Sequence, residues 1–254
     1  MLNFAIETAR AAGGLLLEKY GRITAVTKKG DYNLVTEADL ASEALIIDRI
    51  KSHYPRHTIL AEESGDTVVV DGDKKWKWII DPLDGTTNFA HGYPCFCVTI
   101  ALENEGDVVI GVTYDPTRNE LFTAEKGRGA SLNFKPIHVS STAQLSESLV
   151  CTGFPYNFKD NPGFARHLNN FLLGARGVRR DGSAAIDMAY VACGRFDGFW
   201  EEGLNPWDIA AGVLMITEAG GSVTNYDGSQ LSIYKPPICA SNGLIHNEML
   251  AVLS

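Results

Sequence analysis

The stretch Asp81-Pro82-Leu83-Asp84-Gly85-Thr86-Thr87-Asn88-Phe89 follows directly on the apolar run Trp78-Ile79-Ile80. That run reads as a buried strand, so two acids three residues apart are delivered to the lip of a sheet. Pro82 fixes its own φ and lacks an N–H, which stiffens the turn between the acids and leaves the Leu83 carbonyl as a third oxygen donor on the same side. Oxygen-only donors suit a hard cation, Mg²⁺, Mn²⁺ or Ca²⁺, rather than zinc. Gly85 followed by Thr86 and Thr87 starts a helix whose free N–H groups face an anion. Metal and phosphate are therefore suggested together. An Asp-Pro-x-Asp-Gly run is also what a surface turn looks like. A mere turn needs neither a buried strand before it nor two hydroxyls, an amide and an aromatic behind it.

At 254 residues the chain is long enough to bury about 70–75% of its unfolded surface in one large domain or two closely packed halves. A net charge of −9 argues against a nucleic-acid or anionic-membrane surface, both of which want a basic face. It also sets a problem: a phosphate ester approaching acids is repelled unless divalent cations invert the local charge. Five cysteines without a CxxC pair point to reduced thiols, with Cys95 and Cys97 read as core packing around Phe96. Glu7 and Arg10 interrupt the apolar pattern of the N-terminus, unlike a signal peptide, and no apolar run approaches membrane-spanning length. The expectation is a cytoplasmic protein.

Leu2, Ile6, Ala9, Gly13, Leu16 and Tyr20 recur at four- and three-residue steps, which predicts a helix over residues 2 to 20 with one buried face, ended by Gly21. Lys28, Lys29 and Gly30 lead to Asn33-Leu34-Val35-Thr36-Glu37-Ala38-Asp39, where Thr36 caps a helix running to about Tyr54 and Asp39 completes a capping-box variant. Thr58 to Ala61 reads as a strand, followed by Glu62 and Glu63 and a mobile Gly65-Asp66 region. Phe96 to Leu102, Val108 to Tyr114 and Leu121 to Ala124, separated by turn signals, predict an antiparallel meander buried on both faces. His91 belongs to a loop, since an oxygen-rich site does not call for imidazole. Residues 160 to 172 look helical. Ser183 to Cys193 predicts an apolar helix between Gly182 and Gly194, with Arg179 and Arg180 before it. Phe196 to Glu201 is a strand, and Asn205-Pro206-Trp207-Asp208 starts a helix with Asn205 as N-cap and Pro206 at its first position. An acid in a first helical turn is favourable with the dipole, so Asp208 alone is an ordinary helix-start residue. A strand from Ile238 to Ser241 and a helix from His246 close the chain.

Asp81 to Phe89 resembles the first signature of the inositol monophosphatase family of Mg²⁺-dependent, lithium-sensitive sugar phosphatases. Trp207-Asp208-Ile209-Ala210-Ala211-Gly212 is similar to its second signature, and Glu62-Glu63-Ser64 to a third motif. The likeness spans nearly the whole chain. It implies a layered α-β-α-β-α sandwich in one domain, with an N-terminal half to about residue 145, a C-terminal half from 146 and the site between them; periodicity alone supports only a mixed α/β or α+β domain. It implies that Glu62, Asp81 and the Leu83 carbonyl hold one Mg²⁺, that Asp81, Asp84 and Asp208 hold a second, and that a weaker third ion sits near Glu62, with Mn²⁺ as a substitute. Lys28 and Asp39 then lie at the active site, Asp39 hydrogen-bonding Thr86 to orient the attacking water. Gly85, Thr86, Ser183 and Ala184 fall at substrate-binding positions, Glu201 accepts from substrate hydroxyls, and Arg179 and Arg180 contact a phosphate or a neighbouring subunit. The implied substrate is a small phosphorylated sugar or polyol, inositol 1-phosphate first, and the implied assembly a homodimer. Thr87-Asn88-Phe89 looks like the inositol branch; fructose 1,6-bisphosphate, 3′-phosphoadenosine 5′-phosphate and histidinol phosphate are rival substrates. A binding or regulatory protein that kept the fold without turnover is the rival of another class.

Overall fold

A computed structural model describes residues 1–22, 26–28, 34–67, 73–154, 162–235 and 237–254. The chain opens on α1 (Leu2–Lys19), whose buried Ile6, Ala9, Gly13 and Leu16 form the face expected from their spacing. A small antiparallel ribbon follows, β1 (Val26–Lys28) with β2 (Leu34–Thr36), and leads into α2 (Glu37–His53). The Thr36 hydroxyl accepts from the Ala38 N–H at 3.1 Å, and Asp39 Oδ2 accepts from the Thr36 N–H at 2.8 Å, so the predicted capping box is present. Such a cap stabilises a helix by roughly 0.5–2 kcal/mol.

The large sheet contains β3 (His57–Ala61), β4 (Gly65–Thr67), β5 (Asp73–Asp84), β6 (Cys97–Asn104), β7 (Asp107–Asp115), β8 (Glu120–Glu125), β9 (Ala130–Leu132) and β10 (Lys135–Ile137), with the one-turn helix α3 (Thr86–Ala90) between β5 and β6. Its strand order is β10-β9-β8-β7-β6-β5-β3-β4, and β6, β7 and β8 form the predicted meander. A second, five-stranded sheet is built from the rest of the chain: β11 (Leu149–Thr152), α4 (Pro162–Gly174), β12 (Gly177–Arg179), α5 (Ala184–Ala192), β13 (Gly198–Glu201), α6 (Pro206–Glu218), β14 (Ser222–Thr224), β15 (Ile238–Ser241) and α7 (His246–Leu253). Its order is β12-β11-β13-β15-β14.

Alternation along the strands explains the layering. On β5, Trp78 and Ile80 pack with α1 and α2 residues such as Leu16, Ile46 and Ile50, whereas Ile79 packs with Met188, Ile209 and Met215 of α5 and α6. On β13, Phe199 joins that same middle helical layer, while Trp200 packs with Phe171 of α4 and Met249 of α7. Successive side chains point to opposite faces of a strand, so a run such as Trp78-Ile79-Ile80 must be covered on both sides. The result is α1/α2, large sheet, α5/α6, small sheet, α4/α7, the expected α-β-α-β-α stack. Each fully buried large apolar side chain here adds roughly 1.5–3 kcal/mol.

Two local expectations are corrected. Asp81 to Asp84 is not a turn beyond the strand but the last part of β5 itself: Asp81 pairs with Thr99 and Asp84 with Cys97, so Pro82 and Leu83 together oppose Val98. This is a bulge, and Pro82, lacking an N–H, belongs where a ladder bond is missing. Gly65-Asp66 is not a mobile loop; it lies in β4, with Asp66 opposite Leu60 on the sheet edge. Lys29, Gly30, Asn33 and residues 160 and 161 fall outside the described residues, and of Lys28 only the backbone, in β1, is described.

Candidate active site

The bulge in β5 sets the site's geometry. It turns Asp81 and Asp84 toward the seam between the two sheets, where both are buried. The Asp81 Oδ1 accepts from the Leu83 N–H at 2.9 Å, and the Pro82 carbonyl accepts from the Ser42 hydroxyl of α2 at 2.8 Å, so the bulge is held at both of its inner residues. Gly85 then takes φ +91° as N-cap of α3, and a Cβ there would meet the Cys95 carbonyl oxygen at 2.8 Å. Only glycine fits both constraints.

Asn88, in α3, ties this strand end to the second half of the chain. Its Nδ2 donates to the carbonyls of Cys95 and Asp181, each at 2.8 Å. Beyond Asp181 the chain enters α5, whose N-cap Ser183 donates its hydroxyl to Asp84 Oδ2 at 2.5 Å, and the Ala185 N–H reaches the same oxygen at 2.8 Å. A metal-site candidate on β5 is thus oriented by the first turn of a helix about a hundred residues later in the chain. Ser183 gives its one hydroxyl proton to Asp84, and it lines the cleft together with Ala184.

The cleft is lined by Glu62, Asp81, Leu83, Asp84, Gly85, Thr86, Ala184, Glu201 and Asp208, together with Arg180. Arg180 carries its guanidinium over the Phe154 ring, 4.9 Å from the centroid. Arg179 ends β12, is exposed, donates to the Val178 carbonyl, and is not among the lining residues. Glu62 sits in the turn after β3, next to Glu63, whose N–H donates to Glu43 at 2.8 Å. Asp208 lies in the first turn of α6, where its Oδ2 accepts from the Asn205 N–H at 2.6 Å, so a residue that caps the helix also lines the cleft. His91 is the exposed C-cap of α3, outside the cleft.

Thr86 carries the most specific geometry. Its hydroxyl donates toward Asp39 Oδ1 at 2.8 Å and lies 3.0 Å from the Leu83 carbonyl oxygen. The two oxygens of Asp39 are divided: one closes the cap of α2, the other holds Thr86. Burial raises the Asp39 carboxyl above its ordinary value, and bonds from Thr36 and Thr86 pull it back.

The acids disturb one another. Burial first, and then the fields of Glu62, Asp84 and Asp208, push Asp81 well above the ordinary carboxylate range. Burial does the same to Asp208, and raises Asp84 against the bonds from Ser183 and Ala185. Among the described lining residues Arg180 is the one base, so the acids there outnumber the cationic side chains that line the cleft with them. Hard oxygen donors without imidazole are what Mg²⁺ or Mn²⁺ takes. As the side chains stand, no three His, Cys, Asp or Glu among the described residues close around one ion. One oxygen of Asp84 and one of Asp208 are held by Ser183 and Asn205, and like charges separate; the donor chemistry fits a divalent cation, with the other oxygens left to meet it.

Gly153, Phe154, Asp187, Gly203 and Leu204 line the cleft and escaped the sequence reading. Only Asp187 carried a signal, as the one carboxylate in the apolar helix α5.

The chain matches the inositol monophosphatase family over residues 1–254. It is 48% identical to the inositol-1-monophosphatase of Synechocystis sp., covering 100% of this chain and 88% of that one. It is 44% identical to the Nus factor SuhB of Escherichia coli K12, covering 99% and 94%. Among solved structures, the extragenic suppressor protein suhB of Bartonella henselae superposes with a TM-score of 0.94 at 41% identity, over 99% of this chain and 97% of that one. From signature, fold and likeness along its full length, the chain belongs to the inositol monophosphatase family, a family of phosphoric monoester hydrolases.

Proposed function

We propose that the cleft hydrolyses phosphate monoesters of small polyols, inositol 1-phosphate foremost, by direct attack of water. The observation that carries this reading is the Thr86–Asp39 pair set beside Asp81 and Asp84 on one strand bulge. Because the Thr86 proton is directed to Asp39, its lone pairs are left to accept a hydrogen bond from a water and turn that water's own lone pair toward phosphorus. Glu62, Asp81 and the Leu83 carbonyl would hold one Mg²⁺ and Asp81, Asp84 and Asp208 another. Bound there, such ions supply Lewis acidity, which acidifies a water and offsets charge on the leaving oxygen. Ser183 and the Ala185 N–H keep Asp84 in place, Asn205 does so for Asp208, and the Gly85 and Thr86 N–H groups offer donors to phosphate oxygens.

Glu201, buried at the end of β13, is held by the Gly153 N–H and receives hydroxyls of the alcohol portion. Arg180 offers its charge to the phosphate, and Lys28 is proposed at the same site. Homodimer formation and inhibition by lithium belong to the same reading. No described helix is long and apolar enough to cross a membrane.

The name Nus factor, carried by one relative, supports a second reading in which the chain binds a macromolecular partner. The two are separated by phosphate release. On a panel of inositol 1-phosphate, fructose 1,6-bisphosphate, 3′-phosphoadenosine 5′-phosphate and histidinol phosphate, the expected result is Mg²⁺-dependent release with the highest kcat/KM on inositol 1-phosphate. Release that survives exhaustive chelation would contradict the metal-assisted chemistry, and no release from any ester would leave the binding reading.

A further inference from the structure

Asp187 is the buried acid of the cleft that none of the chemistry above uses. It lies one turn into α5, lines the cleft, and is 1% exposed. Its backbone N–H completes the helix by donating to the Ser183 carbonyl at 3.0 Å. Its carboxyl Oδ1, withdrawn from water, has no hydrogen-bond partner among the described residues. The neighbouring side chains of the same helix, Ala185 and Ile186, pack with Cys95 and Cys97 in an apolar cluster that asks for no carboxyl. Electrostatics makes the position still less favourable: Asp181, Glu201 and Asp84 all act on it, against Arg180 alone.

A buried polar group without a partner is retained at a cost to folding, which points to a partner that arrives with a ligand. The acids acting on Asp187 bound the class of that ligand. Asp84 belongs to the metal-binding end of the cleft and Glu201 to the proposed hydroxyl-binding end, and the fields of both reach Asp187. A phosphate oxygen would be repelled there, whereas an alcohol hydroxyl is neutral and both donates and accepts.

We propose that Asp187 is a substrate-binding residue that hydrogen-bonds a hydroxyl of the polyol portion of the ester, beside the hydroxyl received by Glu201. The inference rests on the proposed function. It assigns Asp187 to discrimination among alcohols and not to cleavage, so its removal leaves esters without hydroxyls largely unaffected.

The test replaces Asp187 in the full chain and measures kcat/KM on inositol 1-phosphate and on p-nitrophenyl phosphate at saturating Mg²⁺, with the melting temperature alongside. Asp187→Leu is expected to lose roughly three- to tenfold on inositol 1-phosphate, mostly in KM, with less than about twofold change on p-nitrophenyl phosphate. Its melting temperature should be unchanged or higher, since a buried orphan oxygen is removed. Asp187→Asn, which keeps an acceptor oxygen and adds a donor, should retain most of the preference. Should the Leu variant fail to fold, Asp187→Ala takes its place with the same two readouts. Equal losses on both esters, or no loss on either, would overturn the assignment while leaving the proposed function intact. A wild-type chain inactive on inositol 1-phosphate would overturn the function and, with it, this inference.

Discussion

Gly153→Ala adds one methyl group to a residue that performs no chemistry, yet it should disable the recognition of substrate hydroxyls. A Cβ built on Gly153 falls 2.0 Å from Glu201 Oε1 and 2.2 Å from Cδ and Oε2, where ordinary contact begins at 3.4 Å. The carboxylate must therefore withdraw by the difference, about 1.4 Å, and a hydrogen bond stretched that far is no longer one. Withdrawal is resisted, because Glu201 is buried and the Gly153 N–H itself anchors the carboxylate. Gly153 is not in the left-handed region, so alanine carries little backbone strain and the effect is confined to Glu201.

Losing a hydrogen bond to a charged acceptor costs about 1.5–3 kcal/mol, so kcat/KM on inositol 1-phosphate should fall roughly ten- to hundredfold. Turnover of p-nitrophenyl phosphate should change far less. Glu201→Ala should give the same pattern, and the double variant should lose little more than either single one, because both remove one interaction. The assay is steady-state phosphate release on both esters. Equal losses on the two esters, or additive losses in the double variant, would refute the account of Glu201 as the acceptor that Gly153 makes room for.

Other expectations follow from the acid cluster. Asp84→Asn and Asp208→Asn should each lower kcat by orders of magnitude while the chain stays folded by circular dichroism, since a carboxamide keeps the shape but weakens a hard cation's hold; near-normal turnover at saturating Mg²⁺ would mean the ligand is misassigned. Asp81, Asp84 and Asp208 have folded pKa values raised by burial, by mutual repulsion or by both, so the folded chain holds protons more tightly than the unfolded one. Without metal their contribution to stability therefore falls as pH climbs from the ordinary carboxylate value through the raised ones, and a cation opposes that loss. The rise in melting temperature on adding Mg²⁺ to chelated protein should thus be larger near pH 8 than near pH 5, and a pH-independent rise would contradict the raised carboxyl pKa values of these acids.

Much of the frame was legible because local chemistry and tertiary structure agree. The spacing of Ile6, Ala9, Gly13 and Leu16 gave α1, and Asn205-Pro206 marked the start of α6. Trp78-Ile79-Ile80 announced a strand covered on both faces, which is where the large sheet meets helices on either side. The three-residue strands β1, β2, β4, β9, β10, β12 and β14 were not legible, since so short a run carries no period and is defined by its backbone partner. The bulge at Pro82 and Leu83 was hidden for the same reason: it exists only against Val98. At the cleft, the Asp81 to Phe89 stretch marked Asp84 and Thr86 as candidates, while the residues around Asp39 spelled only a helix cap and the family resemblance alone linked it to Thr86; the bond from Ser183 to Asp84 spans 99 positions and the fit of Glu201 against Gly153 spans two strands. Contacts of that range leave no pattern in a single sequence.

The claim on which the rest depends is that the acids of the β5 bulge, with Glu62 and Asp208, hold divalent cations beside Thr86. Crystals grown with Mn²⁺ and phosphate, measured near the manganese absorption edge, locate those ions without reference to turnover. The account predicts anomalous peaks in the cleft, one in contact with Glu62, Asp81 and the Leu83 carbonyl and one in contact with Asp81, Asp84 and Asp208, the second lost in Asp84→Asn. Ordered phosphate with no manganese peak among these residues would contradict it, as would manganese bound only elsewhere on the chain.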